Sequence, residues 1–451
     1  MTAQRPYLNM EAETRLNTPE IKVLQLKKVQ GLVERLYRRK PFWRDRLDKA
    51  GVKPGDIETL DDFSRRVPVF DKAQRRALFE DCGGDMVEVV DRTIGVSLAE
   101  LRLMGATSGT SGEPTPYPLT ANDIRWCSEN LGRMAWRMGL RPGDRLLHAF
   151  GLSMYLAGVP YAQFFQNSGL CVFPVGAESG TDRILRFARM FKAEALACTP
   201  SLAEHLIEKA PEILGGPVGE LSIRALFCGG EPGAGLPEVR RKIETAFGAR
   251  LYDSGAGFGI SCDHEDYQGM HHVADDSVLF ELVDPDTYEP LPFEHGMRGM
   301  PVQTTLDGEG FLWFRETIGD VCEIRTDPCP CGRTGFRYKV VGRTDDMLKI
   351  KGVIVYPAAI DGVIAGFLPR VTGEFRIILD EPPPRVAPPL KLKIEYGAGV
   401  SRGDLPGLEE EIIQALKSKL KFSPRIIWLE PLALERSTYK TKFMEKTYEN
   451  K

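Results

Sequence analysis

A chain of 451 residues, 42% hydrophobic and 27% charged, is long enough for two or more domains around a large core and has the composition of a globular protein. Its net charge of −4 gives no basis for a nucleic-acid or anionic-membrane partner, and Arg5, Glu11, Glu13 and Arg15 make the amino terminus unlike a secretory signal. Nine cysteines without disulfide-like spacing fit a reducing cytoplasm.

Val23, Leu26, Val29, Val33 and Leu36 recur at three-and-four spacing and predict an amphipathic helix over Pro19–Lys40. Pro41-Phe42-Trp43, Gly51–Pro54 and Leu60–Phe63 follow as short helices and turns with aromatic anchors. Next comes Gly105-Ala106-Thr107-Ser108-Gly109-Thr110-Ser111-Gly112-Glu113-Pro114-Thr115. Its glycines let the backbone turn through positive φ and expose successive N–H groups, while Thr107, Ser108, Thr110 and Ser111 add hydroxyl donors. With Gly109 and Gly112 these residues form a candidate cradle for phosphate oxygens. No Gly-Lys-Ser/Thr follows, so this is not a Walker loop, and alone the run is equally compatible with a surface loop.

Asp123–Met138 reads as a helix and Arg145–Phe150 as a buried strand. The most apolar window, Leu146–Phe165, contains His148, Ser153, Pro160 and Gln163, which argues for interior elements rather than a membrane span. Strand-like Leu170–Val175, Ala195–Cys198 and Ala225–Cys228 alternate with helical Asp182–Phe191 and Ser201–Lys209. That alternation predicts an α/β fold with a largely parallel sheet, whose ligands bind beyond the carboxyl ends of the strands. Two glycine-rich loops fall there, Gly229-Gly230-Glu231-Pro232 and Tyr252-Asp253-Ser254-Gly255-Ala256-Gly257-Phe258-Gly259. From Val278 the pattern turns to strands, Val278–Val283 and Gly310–Phe314. Beyond Gly342-Arg343-Thr344-Asp345-Asp346 lie a helix over Pro357–Phe367, strands Glu374–Leu379 and Leu390–Tyr396, a helix over 405–420 capped by Asp404, and strand Arg425–Leu429. These make a small α+β domain, so the expected division is 1–342 and 343–451, hinged at the aspartate pair.

Residues Gly342 to Val353, with Val355 and Pro357, resemble the hinge motif of the phenylacetate–CoA ligase family of adenylate-forming enzymes. The resemblance runs nearly end to end, from Lys28-Val29 and Phe42-Trp43-Arg44 to the C-terminal lysines. It implies the adenylate-forming fold, a large N-terminal α/β domain with a β-rich subdomain and a small mobile C-terminal domain. It also implies a two-step ligase: ATP and an aromatic carboxylate give an acyl-adenylate and pyrophosphate, and the CoA thiol then displaces AMP. Mg²⁺ would accompany ATP, and a homodimer would be ordinary.

The resemblance also distributes roles. Thr107 to Gly112 match the phosphate loop, Gly230, Glu231 and Pro232 the adenine-side turn, and Asp320 the ribose aspartate, with Asp253, Ser254 and Arg343 completing the nucleotide site. In Arg436-Ser437-Thr438-Tyr439-Lys440-Thr441-Lys442, Lys440 matches the adenylation lysine, with Lys442 as competitor and Tyr439 in place of the usual glycine. Asp345 matches the hinge residue. His148, Phe150 and Gly151 resemble an acyl-pocket segment, faced by Gly255, Ala256 and Gly257, with Phe150 stacking on the acyl ring. Two departures stand out. Glu113 occupies a frequent lysine position, and the family's magnesium-binding glutamate falls on Gly257, leaving Asp253, Asp263 and Glu265 as the nearby carboxylates.

Cys329-Pro330-Cys331 lies downstream of Cys262, His264, His271 and His272, and sets of four thiolates and imidazoles suit tetrahedral Zn²⁺ in a closed structural site. Some family members resemble this chain in grouping such residues, which implies Cys262, His271, Cys329 and Cys331 as ligands, with His272 as the alternate to His271. Cys198, Cys228 and Cys322 read as inert core residues. Two other functions stay open here: adenylyl transfer to a deazaflavin, as in the related coenzyme F390 synthetases, and a non-catalytic zinc-stabilised binding protein. A carrier-protein phosphopantetheine could also replace CoA.

Overall fold

Helix α1 (Pro19–Arg39) buries Ile21, Gln25, Val29, Leu32, Val33 and Leu36 along one stripe. Val23, expected on that face, is 70% exposed. Gln25 takes the inward position instead, where its Nε2 donates to the Asp275 carbonyl (2.8 Å). Helices α2 (Pro41–Lys49), α3 (Leu60–Arg66), α4 (Lys72–Asp81) and α5 (Met86–Thr93) complete this amino-terminal layer. Trp43 is its anchor, edge-on to Phe70 (5.4 Å) and Phe314 (5.2 Å). The computed structural model describes residues 18–106, 114–255, 257–350, 353–384, 386–435 and 443–450.

Strands β1 (Leu101–Ala106) and β2 (Pro116–Thr120) pair antiparallel on either side, in sequence, of the hydroxyl-rich run. Thr107, Ser108, Gly109, Thr110, Ser111 and Gly112 lie outside the described residues, as do Ala256 and Lys440. After α6 (Ala121–Arg137) the chain alternates strictly: β3 (Arg145–His148), α7 (Val159–Asn167), β4 (Cys171–Pro174), α8 (Thr181–Met190), β5 (Ala195–Cys198), α9 (Pro200–Leu214), β6 (Ala225–Gly229), α10 (Pro237–Phe247) and β7 (Arg250–Gly255). Strands β4-β3-β5-β6-β7 are parallel neighbours. Their side chains face both ways into cores: Leu146, Ala197 and Phe227 join one cluster with α6 and α7, and Leu147, Leu196 and Leu226 another with α8, α9 and α10. Burial on both faces is why the central strands β5 and β6 are apolar throughout.

The sheet is only half parallel. Beyond β7 it continues antiparallel through β8 (Gly259–Ser261), β9 (Met270–His272), β13 (Arg337–Arg343), β12 (Asp320–Arg325), β11 (Arg298–Thr305) and β10 (Val278–Val283), giving eleven strands. The Gly310–Phe314 segment, expected as a strand, is irregular because side chains take its backbone donors. The Asp123 carboxylate accepts from the N–H groups of Glu309 (3.0 Å), Gly310 (2.8 Å) and Phe311 (3.1 Å). Thr305 Oγ1 accepts from Trp313 N (3.0 Å).

The C-terminal unit comprises β14 (Leu348–Ile350), β15 (Val353–Val355), α11 (Pro357–Ile364), β16 (Val371–Leu379), β17 (Lys391–Tyr396), α12 (Leu405–Leu420), β18 (Arg425–Leu429) and β19 (Met444–Lys446). Its sheet runs β18-β17-β16-β19, and α12 turns Leu408, Ile412 and Leu416 inward. Asp404 does not cap α12: its carboxylate is occupied by the Ser401 hydroxyl (2.7 Å) and N–H (3.2 Å). After α11 a 3₁₀ turn runs to Phe367, and Ala365 and Leu368 pack into the α8–α10 cluster of the large domain. Among the described residues, no helix is long and apolar enough to cross a membrane.

Asp123 is fully buried and also accepts from Thr120 N (2.9 Å) and Trp126 Nε1 (3.1 Å). Asp123→Ala therefore strands several buried donors and should cost roughly 3–5 kcal/mol, read as a lower urea midpoint at unchanged slope. A loss below about 1 kcal/mol would show that water or a relaxed turn takes over those donors.

Candidate active site and metal cluster

The carboxyl ends of β3, β6 and β7 bring the predicted loops to one edge of the sheet. Glu231 reaches back to an earlier helix: its Oε1 accepts from Ser201 N (2.6 Å) in the first turn of α9. Asp253 closes β7 from the inside, its N–H donating to Ser261 Oγ (2.9 Å) and its carboxylate accepting from the Tyr267 hydroxyl (2.5 Å). Burial pushes the Asp253 carboxyl up to about 6, against the pull of Tyr267 and Arg240. Ser254 and Gly255 are half-buried at the strand end.

Gly257 has φ +80°, and a Cβ there would collide with the Gln303 carboxamide. A side chain at 257 would be strained by the backbone and would have to displace the Gln303 carboxamide. Gln303 belongs to β11 and exchanges two backbone hydrogen bonds with Glu316, Gln303 N to Glu316 O (2.8 Å) and Glu316 N to Gln303 O (2.9 Å). Glu316 is buried and pairs with Arg75 from α4 (2.5 Å). Gln303, Trp313, Glu316, Asp320 and Tyr338 line a small cleft beside this loop. Gly259 admits the Tyr338 hydroxyl where a Cβ would otherwise stand.

Asp320 opens β12 opposite Arg343 at the end of β13. Arg343 donates to Asp320 Oδ1 (2.7 Å), to the Ile318 carbonyl (2.9 Å) and to both oxygens of Asp345 (2.9 Å each). Lys72 completes the set, its Nζ 2.7 Å from Asp345 Oδ2. Burial opposes ionisation of Asp345, but Arg343 and Lys72 outweigh it and hold the carboxyl down at about 2.

His148 is fully buried at the end of β3, and burial pushes its imidazole down to about 4, so it is neutral at pH 7. Phe150 is 7% exposed and edge-on to Phe227 (6.3 Å). Gly151 begins the loop in which Leu152 N donates to Glu178 (3.0 Å).

Cys262, His271, Cys329 and Cys331 offer ligand atoms that all lie within 4.8 Å of one another. Cys262 and Cys329 sulfurs are 3.8 Å apart and Cys331 Sγ is 3.5 Å from His271 Nε2. Two thiolates each about 2.3 Å from a tetrahedral zinc stand about 3.8 Å apart, so the set has the dimensions of a zinc site. His271 Nδ1 faces the Thr334 carbonyl (3.4 Å), which leaves Nε2 for a metal. Adjacent residues of a strand point to opposite faces, and His272 accordingly turns away to stack on Phe336 (5.1 Å) and approach Asp275 (3.4 Å). His264 lies outside the group. Cys198, Cys228 and Cys322 are buried free thiols.

Lys72, Arg75, Gln303 and Tyr338 escape sequence reasoning, because each reaches the site from an element distant from the predicted loops.

A carboxyl that titrates near 6 when folded and about 3.9 when unfolded binds the extra proton in the folded state between those values. Its contribution to stability therefore falls as pH rises through that window. Asp253→Asn should flatten the pH dependence of the melting temperature between about pH 4 and 6, by the equivalent of roughly 1–3 kcal/mol. An unaltered slope would mean that Asp253 is not proton-linked.

Residues 352–446 match the family model of the AMP-binding enzyme C-terminal domain. Over 446 residues the chain is 31% identical to the phenylacetate–coenzyme A ligase of Thermus thermophilus, covering 95% of this chain and 96% of that one. Its structure superposes on 2-hydroxyisobutyryl-CoA ligase in the postadenylation state, in complex with 2-HIB-AMP, with a TM-score of 0.87 at 27% identity over 98% of this chain and 93% of that one. The same ligase in the thioesterification state, with 2-HIB-AMP and CoA, gives 0.67 at 28% identity over 96% and 92%. Identity of 31% that covers nearly the whole of both chains is that of a family member: the chain belongs to the phenylacetate–CoA ligase family of AMP-forming acid–thiol ligases.

Proposed function

We propose that this ligase activates an aromatic carboxylate, of the phenylacetate, benzoate or aminobenzoate class, and passes the acyl group to CoA. The observation that carries the reading is the Asp320–Arg343–Asp345 ladder beside the cleft, in a chain that superposes almost entirely on a ligase holding an acyl-adenylate. The aromatic choice draws on the likeness to phenylacetate–coenzyme A ligases and on the surroundings of His148, where a neutral imidazole offers no fixed charge and Phe150, Phe227 and Tyr161 pack edge to face.

In the first step a carboxylate oxygen attacks the α-phosphorus and pyrophosphate leaves. Asp320 accepts the ribose hydroxyls, and the turn at Gly230, Glu231 and Pro232 flanks the adenine. The 107–112 loop donates N–H and hydroxyl groups to the phosphates. Lys440 balances the charge that develops, because positioning and electrostatics are nearly all the protein can supply to such a transfer. In the second step the small domain, residues 343–451, turns at Asp345, Lys440 departs, and the CoA sulfur attacks the acyl carbonyl as AMP leaves. Mg²⁺ would travel with the triphosphate. Position 257 offers it no carboxylate, Asp253 is engaged by Tyr267 and Asp263 by Arg333 (3.1 Å), so no step is assigned to a metal-bound side chain.

A zinc ion held by Cys262, His271, Cys329 and Cys331 would be structural, pinning the β8–β9 segment to the 329–331 turn. The free thiols suit a cytoplasmic enzyme. A homodimer is the proposed assembly, with light scattering as its test.

The deciding assay is CoA-dependent AMP release across a panel of aryl carboxylates, with 2-hydroxyisobutyrate as the aliphatic control. Turnover confined to aryl acids is the expected result; turnover with the aliphatic control alone would replace the substrate class. Silence throughout, in folded protein, would favour a binding role. Lys440→Ala should lower ATP–pyrophosphate exchange at least about a hundredfold yet spare thioester formation from supplied acyl-adenylate. Cys329→Ser should lower bound zinc and melting temperature together, and an unchanged stoichiometry would remove the metal.

A further inference from the structure

The hinge carboxylate is gripped from outside the small domain by a residue with no place in the family motifs. Lys72 opens α4, and a cation at a helix N-terminus opposes the helix dipole, so its position there favours a partner beyond the helix. That partner is Asp345 (2.7 Å).

The lysine is mounted on a rigid frame. The Asp71 carboxylate accepts from Gln74 N (2.8 Å) and the Tyr288 hydroxyl (2.7 Å), closing the first turn. Arg46 donates to the Val69 carbonyl (3.2 Å) and Gln74 Oε1 (3.1 Å). Phe70 N donates to the Arg315 carbonyl (2.8 Å) and Thr317 N to the Phe70 carbonyl (3.1 Å), joining the helix start to the segment that leads into Asp320. One turn on, Arg75 is paired with buried Glu316. The same helix thus holds the cleft floor through Arg75 and the hinge through Lys72. Both grips exist in an arrangement that matches the postadenylation state of 2-hydroxyisobutyryl-CoA ligase better than its thioesterification state.

We propose that Lys72 is a positioning residue for the hinge: it holds Asp345 in the adenylation arrangement and releases it when the small domain turns for thioester formation. The proposal rests on the domain alternation described above. The two side chains are 45% and 39% exposed, so solvent screens the pair and its effect on the domain equilibrium is a few-fold, not orders of magnitude.

The test uses full-length Lys72→Met and Lys72→Arg. Without any acid or nucleotide, small-angle scattering and limited proteolysis across residues 342–346 should show the small domain less closed in Lys72→Met and restored in Lys72→Arg. ATP–pyrophosphate exchange should fall roughly two- to fivefold in Lys72→Met, while thioester formation from supplied acyl-adenylate holds or rises. The difference from the parent should shrink between about 50 and 500 mM salt. An unmoved domain, or equal losses in both half-reactions, overturns the proposal. Domain closure is read without turnover, so an inactive parent chain whose closure still depends on Lys72 would fail the ligase reading and leave the latch standing.

Discussion

Arg343 bonds to two carboxylates and a carbonyl at the point where the chain passes from one domain to the other, and much of the functional architecture depends on those bonds. One arm reaches Asp320 at the mouth of the cleft, another both oxygens of Asp345. A planar guanidinium suits this, since its donors fan out at fixed angles and can serve two acids at once. Arg343 and Asp320 are half-buried, while Asp345 is the more exposed of the three. Thr344 N bonds to the Gly319 carbonyl (2.8 Å), which ties the backbone after Arg343 to the turn that leads into Asp320.

The same economy recurs at Asp123, where one buried carboxylate replaces a strand ladder. By accepting from Glu309, Gly310 and Phe311 it shapes the turn that places Trp313 at the cleft. Buried backbone donors must be satisfied somewhere, and here a side chain from α6 does it for a segment almost two hundred residues away.

Gly257 shows how a departure from a family pattern is accommodated. The space next to its Cα is taken by the Gln303 carboxamide, whose backbone is paired with that of Glu316.

Local patterns determined a great deal. Alternating short apolar strands and amphipathic helices announced the α/β layer, helix 405–420 has its predicted limits, and the hinge run stood out as a motif, because periodicity and turn chemistry act over a few residues. The Cys-x-Cys and the two histidines were equally legible, but which histidine faces the sulfurs depends on strand register, which the tertiary structure alone decides. It likewise decided that the parallel strands continue into an antiparallel half, that Gln25 and not Val23 turns inward, and that the 310–314 segment is no strand. Lys72 and Arg75 met the hinge and the cleft floor only through folding. In each case the deciding contact joins residues far apart in sequence, and no local propensity encodes a partner that arrives only when the chain closes on itself.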